Sequence, residues 1–108
     1  MPLTRRQLVT REAEDSFTWE GETVTYRYLP GKITGKFLTY ADDKEAFENL
    51  GGILVSTDIL VEEDDTDMPE ELRGKPLPTD AKSLELYYPV PLVFAFYRRI
   101  AQLVNNPN

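Results

Sequence analysis

Seven of the ten residues from Glu62 to Glu71 are acidic, and Pro69, Gly74, Pro76 and Pro78 punctuate this stretch and the one after it. Carboxylates at that density repel one another, and each proline removes a backbone donor and denies helix continuation. Residues 62–80 are therefore predicted as a solvated loop. The loop divides a chain of 108 residues, a length that suits one domain.

Residues 1–15 are polar and mixed in charge, with Arg5, Arg6 and Arg11 as the most basic part, and read as a flexible tail or one short helix. Residues 16–29 read as a β-hairpin. Phe17 and Trp19 alternate with polar residues, Glu20-Gly21-Glu22 turns the chain, and Val24, Tyr26 and Tyr28 alternate with Thr23, Thr25 and Arg27. This period of two, rich in aromatic and β-branched residues, marks strands with one apolar face. A lone hairpin is marginal in water, so that face must be covered.

Pro30-Gly31 ends the hairpin. Thr34 is a candidate N-cap for a helix with Phe37, Leu38 and Ala41 on one face. Asp42 or Asp43 can cap a second helix carrying Phe47, Leu50, Leu54 and Val61. Gly51-Gly52 weakens that pattern, because each glycine costs about 1 kcal/mol inside a helix relative to alanine. The stretch 53–61 thus reads either as helix or as a strand with Ile53, Val55, Ile59 and Val61 on its odd face.

After the loop, residues 81–88 are expected to form a short helical turn, with Leu84, Leu86 and Tyr87 available for packing. Pro91 suits the first position of a final helix over 91–105, where its missing N–H costs nothing. Val93, Phe96, Tyr97, Ile100, Leu103 and Val104 make its stripe, Leu92 and Phe94 widen it, and Asn105-Asn106-Pro107 stops it. Phe94 and Phe96 lie about 200° apart on such a helix. It is therefore apolar over more than one narrow face, which favours burial on two sides or a partner surface. Arg98 and Arg99, late in the helix, suit the negative end of its dipole. The expected fold is α+β and mainly helical: a flexible tail over 1–15, then a domain over 16–108 with a small N-terminal hairpin and three or four helices.

The chain has no Cys and no His. Disulfides, thiolate metal sites and a Ser-His-Asp triad are excluded. There is no phosphate-binding glycine loop, and Ser16, Ser56 and Ser83 sit in no nucleophile-elbow sequence. The acidic run lacks the glycine that a calcium loop requires at its sixth position. With 19 acidic residues against 12 basic ones, the net charge is −7, the opposite of a nucleic-acid footprint. No run of about 20 apolar residues is present to span a membrane. The N-terminus lacks the apolar core of a signal peptide, so a cytosolic location is expected. No catalytic residue, cofactor or metal is expected, and protein–protein interaction is the function class that remains.

The order of several short motifs resembles the tail assembly chaperones of long-tailed bacteriophages. The motifs are Thr25-Tyr26-Arg27-Tyr28 with Ile33-Thr34, Leu54-Val55-Ser56 with Asp58-Ile59, and Gly74-Lys75-Pro76-Leu77-Pro78-Thr79. Leu84 to Pro91 and a closing Asn106-Pro107-Asn108 complete the series. Thr57 stands where the family often has Trp, the acidic loop is longer, and the N-terminal tail is extra. The resemblance implies a non-enzymatic protein of the host cytoplasm, absent from the mature virion. Its partners would be the tape measure protein, kept soluble, the major tail protein, and further copies of itself, with no nucleic acid and no membrane. This chain would correspond to the short form of a family often made in two lengths by ribosomal frameshifting. Tyr87, Tyr88, Phe94, Tyr97 and Ile100 are the candidate partner-binding residues. The alternatives are a structural tail or head–tail joining protein, or an acidic DNA-mimic inhibitor. The latter would need rigidly spaced carboxylates rather than a proline-broken loop.

Overall fold

Alternation of Phe17 and Trp19, then of Val24, Tyr26 and Tyr28, produces a hairpin whose strands are β1 (Ala13–Trp19) and β2 (Glu22–Tyr28). They pair antiparallel from Ala13 opposite Tyr28 to Trp19 opposite Glu22. The connecting Glu20-Gly21 turn has positive φ at both residues, which matches the right-handed twist of the strands. The hairpin starts at Ala13, three residues earlier than the alternation alone marked. The computed structural model describes residues 2–105. Before the hairpin, the basic segment is helical over α1 (Arg5–Thr10), held by a reciprocal cap. Gln7 N–H donates to Thr4 Oγ1 at 3.2 Å, and Thr4 N–H donates to Gln7 Oε1 at 2.9 Å.

A 3-10 turn over Pro30–Lys32 leads to α2 (Gly35–Leu38) and α3 (Asp43–Gly51). Asp42 caps α3, accepting from the Glu45 N–H at 2.9 Å. Thr34 occupies the N-cap position of α2 without a side-chain hydrogen bond. The expected apolar face of α2 reduces to Phe37, because a four-residue helix is too short to turn Leu38 and Ala41 inward, and both are exposed.

Helix α3 stops at Gly51, and Leu54–Thr57 forms a third strand, β3, antiparallel to β2. Gly51 serves a close approach: a Cβ there would lie 2.4 Å from the backbone nitrogen of Ala81 at the start of the next helix. The outer backbone groups of β2 also need partners. Leu29 N–H donates to Ile53 O at 3.0 Å and Asp58 N–H to Thr25 O at 2.9 Å. Ile53 and Val61 are buried as the strand pattern required, but Val55 is exposed while Leu54 and Thr57 are buried. A register shift opposite Arg27 and Tyr28 breaks the simple alternation.

Residues 62–80 contain no α-helix and no strand of the sheet, only a 3-10 turn at Glu70–Leu72. Backbone bonds tie the ends of the loop together: Val61 N–H to Lys75 O, Gly74 N–H to Val61 O and Leu77 N–H to Ile59 O, at 2.7 to 2.9 Å. Arg73 Nε donates to the carbonyls of Asp65 and Met68, which places a cation inside the acidic run. The Pro-Leu-Pro segment continues the sheet edge beyond β3, and its two prolines cannot donate to a further strand.

Helix α4 (Ala81–Tyr87) and helix α5 (Val90–Asn105) complete the chain. In α4, Leu84 is buried whereas Leu86 is 58% exposed; Leu84 shares its inward face with Tyr88, four residues on. Phe96 of α5 is fully buried against the sheet, with ring centroids 5.0 Å from Phe17 and 5.3 Å from Tyr26, both edge-on. Val104 faces outward. The expected helix stop at Asn106-Pro107 lies outside the described residues. Among the described residues the architecture is α+β, a three-stranded antiparallel sheet with five α-helices; it exceeds the expected hairpin with three or four helices because Leu54–Thr57 joins β2 and the basic N-terminal segment is helical.

The last turn of α5 holds no basic residue, so Arg99 does not meet the helix dipole as expected and pairs with the hairpin instead. Its Nε and Nη2 donate to Asp15 Oδ2 and Oδ1 at 2.7 and 3.0 Å, and Tyr26 OH donates to the same Oδ2 at 2.7 Å. The Arg99 hydrogen bond holds the Asp15 carboxyl below its ordinary value, with a smaller contribution from Tyr26. A carboxylate with a depressed folded pKa stabilises the fold above its unfolded value and loses that contribution as pH falls through the folded one. Asp15→Asn is expected to cost about 2 kcal/mol at pH 7. In urea unfolding, the gap between variant and wild type should close as pH falls below 4.

Candidate protein-binding surface

Three of the five residues singled out on the sequence lie in the core. Tyr97 is 4% exposed. Its ring stacks on Phe37 at 4.1 Å and 8°, its hydroxyl donates to the Phe37 carbonyl, and it accepts from Asn49 Nδ2 at 3.3 Å. It therefore joins α2, α3 and α5. Tyr88 donates to Leu77 O at 3.4 Å and holds the Pro-Leu-Pro segment from beneath; burial pushes its phenol up to about 12. Ile100 is fully buried. A partner cannot touch these three without opening the fold. Tyr87 and Phe94 are half-buried and remain reachable.

Phe94 has company that the sequence did not assign to it. Its ring lies 6.2 Å from Tyr40 and 6.3 Å from Phe47. Val90, one turn earlier on α5, is 53% exposed. Val90, Phe94 and Ala101 fall within about 40° of one another around the helix. Counted from Leu92 round to Phe94, the apolar arc of α5 covers about 200°, more than one packing face requires. The sheet and α3 cover most of it, and the Val90–Phe94 strip is its uncovered margin. The width of that arc was visible in the sequence. Its alignment with Tyr40 and Phe47 was not, because those residues come from segments about 50 positions earlier.

Among the described residues, no buried side-chain nitrogen or oxygen lacks a hydrogen-bond partner, and no group of three or more His, Cys, Asp or Glu is gathered to hold a metal ion. The Arg27 contacts to Glu12 at 3.0 Å and Glu14 at 3.5 Å are exposed pairs on the outer face of the hairpin, of the kind that contributes little to stability. No described helix is long and apolar enough to cross a membrane. Set against known protein families, characterised proteins and solved structures, the chain finds no match.

The division between core and surface can be measured. Tyr97→Ala should destabilise the fold by about 3 kcal/mol or more. Phe94→Ser should cost about 1 kcal/mol or less, within the range of surface substitutions. Urea unfolding of both variants checks this, and equal losses would mean that Phe94 belongs to the core.

Proposed function

We propose that this chain is a non-catalytic assembly chaperone of the kind that serves the tails of long-tailed bacteriophages. On this reading it binds an apolar helical stretch of the tape measure protein, keeps it soluble, and assists the major tail protein to polymerise around it in the host cytoplasm. The observation that carries the reading is the apolar strip of Val90 and Phe94, flanked by Tyr40 and Phe47, on a chain of net charge −7. An amphipathic client helix can lay its apolar face on such a strip, and the acidic remainder keeps the complex soluble. The order of motifs along the sequence supports the same reading. Of the five residues first singled out, Tyr87 and Phe94 would make contact, while Tyr88, Tyr97 and Ile100 would support that surface from within.

Co-expression with the tape measure protein should yield a soluble complex. The variant Val90→Ser/Phe94→Ser, folded by circular dichroism, should lose at least about tenfold in client affinity. Unchanged solubilisation by that variant would refute the strip. Mass spectrometry of purified virions should find the chain absent, and its presence in stoichiometric amounts would favour a structural tail component.

A further inference from the structure

A cleft of about 490 Å³ opens between α1 and the surface made by the Pro30–Lys32 turn, α2 and α3. Three separate elements contribute cations to it: Arg5 from α1, Lys32 from the turn and Lys36 from α2. One carboxylate, Glu48, also lines it. The lining itself carries three positive charges against one negative, in a chain of net charge −7, and Lys36 also borders an adjacent recess that holds Asp42 and Glu45. Among the described residues, the ion pairs engage Arg27 and Arg99 and none of these three cations.

Among the described residues, no carboxylate of the acidic loop forms an ion pair with them. Ile53 lines the cleft. From there the chain runs through Leu54 opposite Tyr28, Thr57 opposite Tyr26, and Asp58 bonded to Thr25. It thus travels away from the cleft along the sheet before the first loop carboxylate, Glu62.

The floor is apolar but small. Phe37 and Ile53 are already buried, so the apolar area left open comes mainly from Leu8, 42% exposed, and half-buried Val9. That footprint fits one or two side chains and is too small to cover an acyl chain. A free inorganic anion would leave it unused.

We propose that this cleft binds an acidic peptide segment of a partner protein. One or two apolar side chains of the segment seat on Leu8 and Val9, and flanking carboxylates lie against Arg5, Lys32 and Lys36. Acidic residues around an apolar anchor are the chemistry complementary to this lining. The site is separate from the Val90–Phe94 strip and does not depend on the chaperone reading. Its wall depends on Gly31: a Cβ there would lie 1.8 Å from the carbonyl oxygen of Leu8. One added methyl must therefore displace α1, and Arg5 with it, without removing any charge.

The experiment is a fluorescence-anisotropy titration of the whole chain with a labelled peptide of glutamates flanking a central pair of leucines. A control peptide carries serines in place of the leucines, and inorganic phosphate is the competitor. The leucine peptide is expected to bind at low salt and to weaken by roughly tenfold between about 50 and 250 mM NaCl. Lys32→Glu/Lys36→Glu should reduce affinity at least about tenfold, with Lys32→Glu alone intermediate. Gly31→Ala should weaken binding with the charges intact, and the serine peptide should bind several-fold less tightly. Circular dichroism establishes that each variant is folded. The proposal is overturned if the double charge reversal binds as wild type does, if the serine peptide binds equally well, if millimolar phosphate displaces the peptide completely, or if no binding occurs at low salt.

Discussion

The packing of α5 across the sheet is the interaction on which the rest of the molecule depends. Phe96 fills the space between Phe17 and Tyr26, and beside it the guanidinium of Arg99 grips Asp15 while Tyr26 donates to the same carboxylate. Apolar burial supplies the driving force, and the charged cluster fixes the position of the helix, because a bidentate pair tolerates little sliding. The two partners are 84 residues apart in sequence. This contact closes the chain on itself, covering the hairpin face that could not stand alone in water.

From the other side of α5, Tyr97 extends the same organisation to α2 and α3 through its stack on Phe37 and its hydroxyl bonds. Tyr88 does likewise for the Pro-Leu-Pro segment, which shields the sheet edge beyond β3. The aromatic residues therefore act as joints between elements as well as filler. They satisfy their own polar ends and leave the outer margin of α5, at Val90 and half-buried Phe94, as one of the exposed apolar areas. The acidic loop and the cationic cleft add two regions of opposite charge.

Local patterns were legible wherever a single periodicity acted alone. The Val24, Tyr26, Tyr28 face, the Asp42 cap, the proline-broken loop and the long last helix all follow from spacing and backbone chemistry. The stretch 53–61 was ambiguous because it is apolar on both sides and follows two glycines. Only Leu54–Thr57 became a strand, because β2 presented unpaired backbone groups there, while α3 ends at Gly51, where α4 approaches too closely for a side chain. The candidate site was half legible. The excess width of the α5 apolar arc pointed to a surface, but the same arc also held Tyr97 and Ile100, which spacing alone could not distinguish from Phe94.

What the sequence by itself determined is the inventory and the local grammar. A chain without His or Cys carries no imidazole or thiolate chemistry, its dense carboxylates and prolines force an exposed loop, and its alternating aromatics require a covered hairpin. Tertiary structure alone decided which aromatics became core, which strand joined the hairpin, and where the cations Arg5, Lys32 and Lys36 came together. The physical reason is that local structure depends on neighbours three or four positions away. Burial, by contrast, depends on which distant segment arrives to exclude water, and only the assembled fold specifies that.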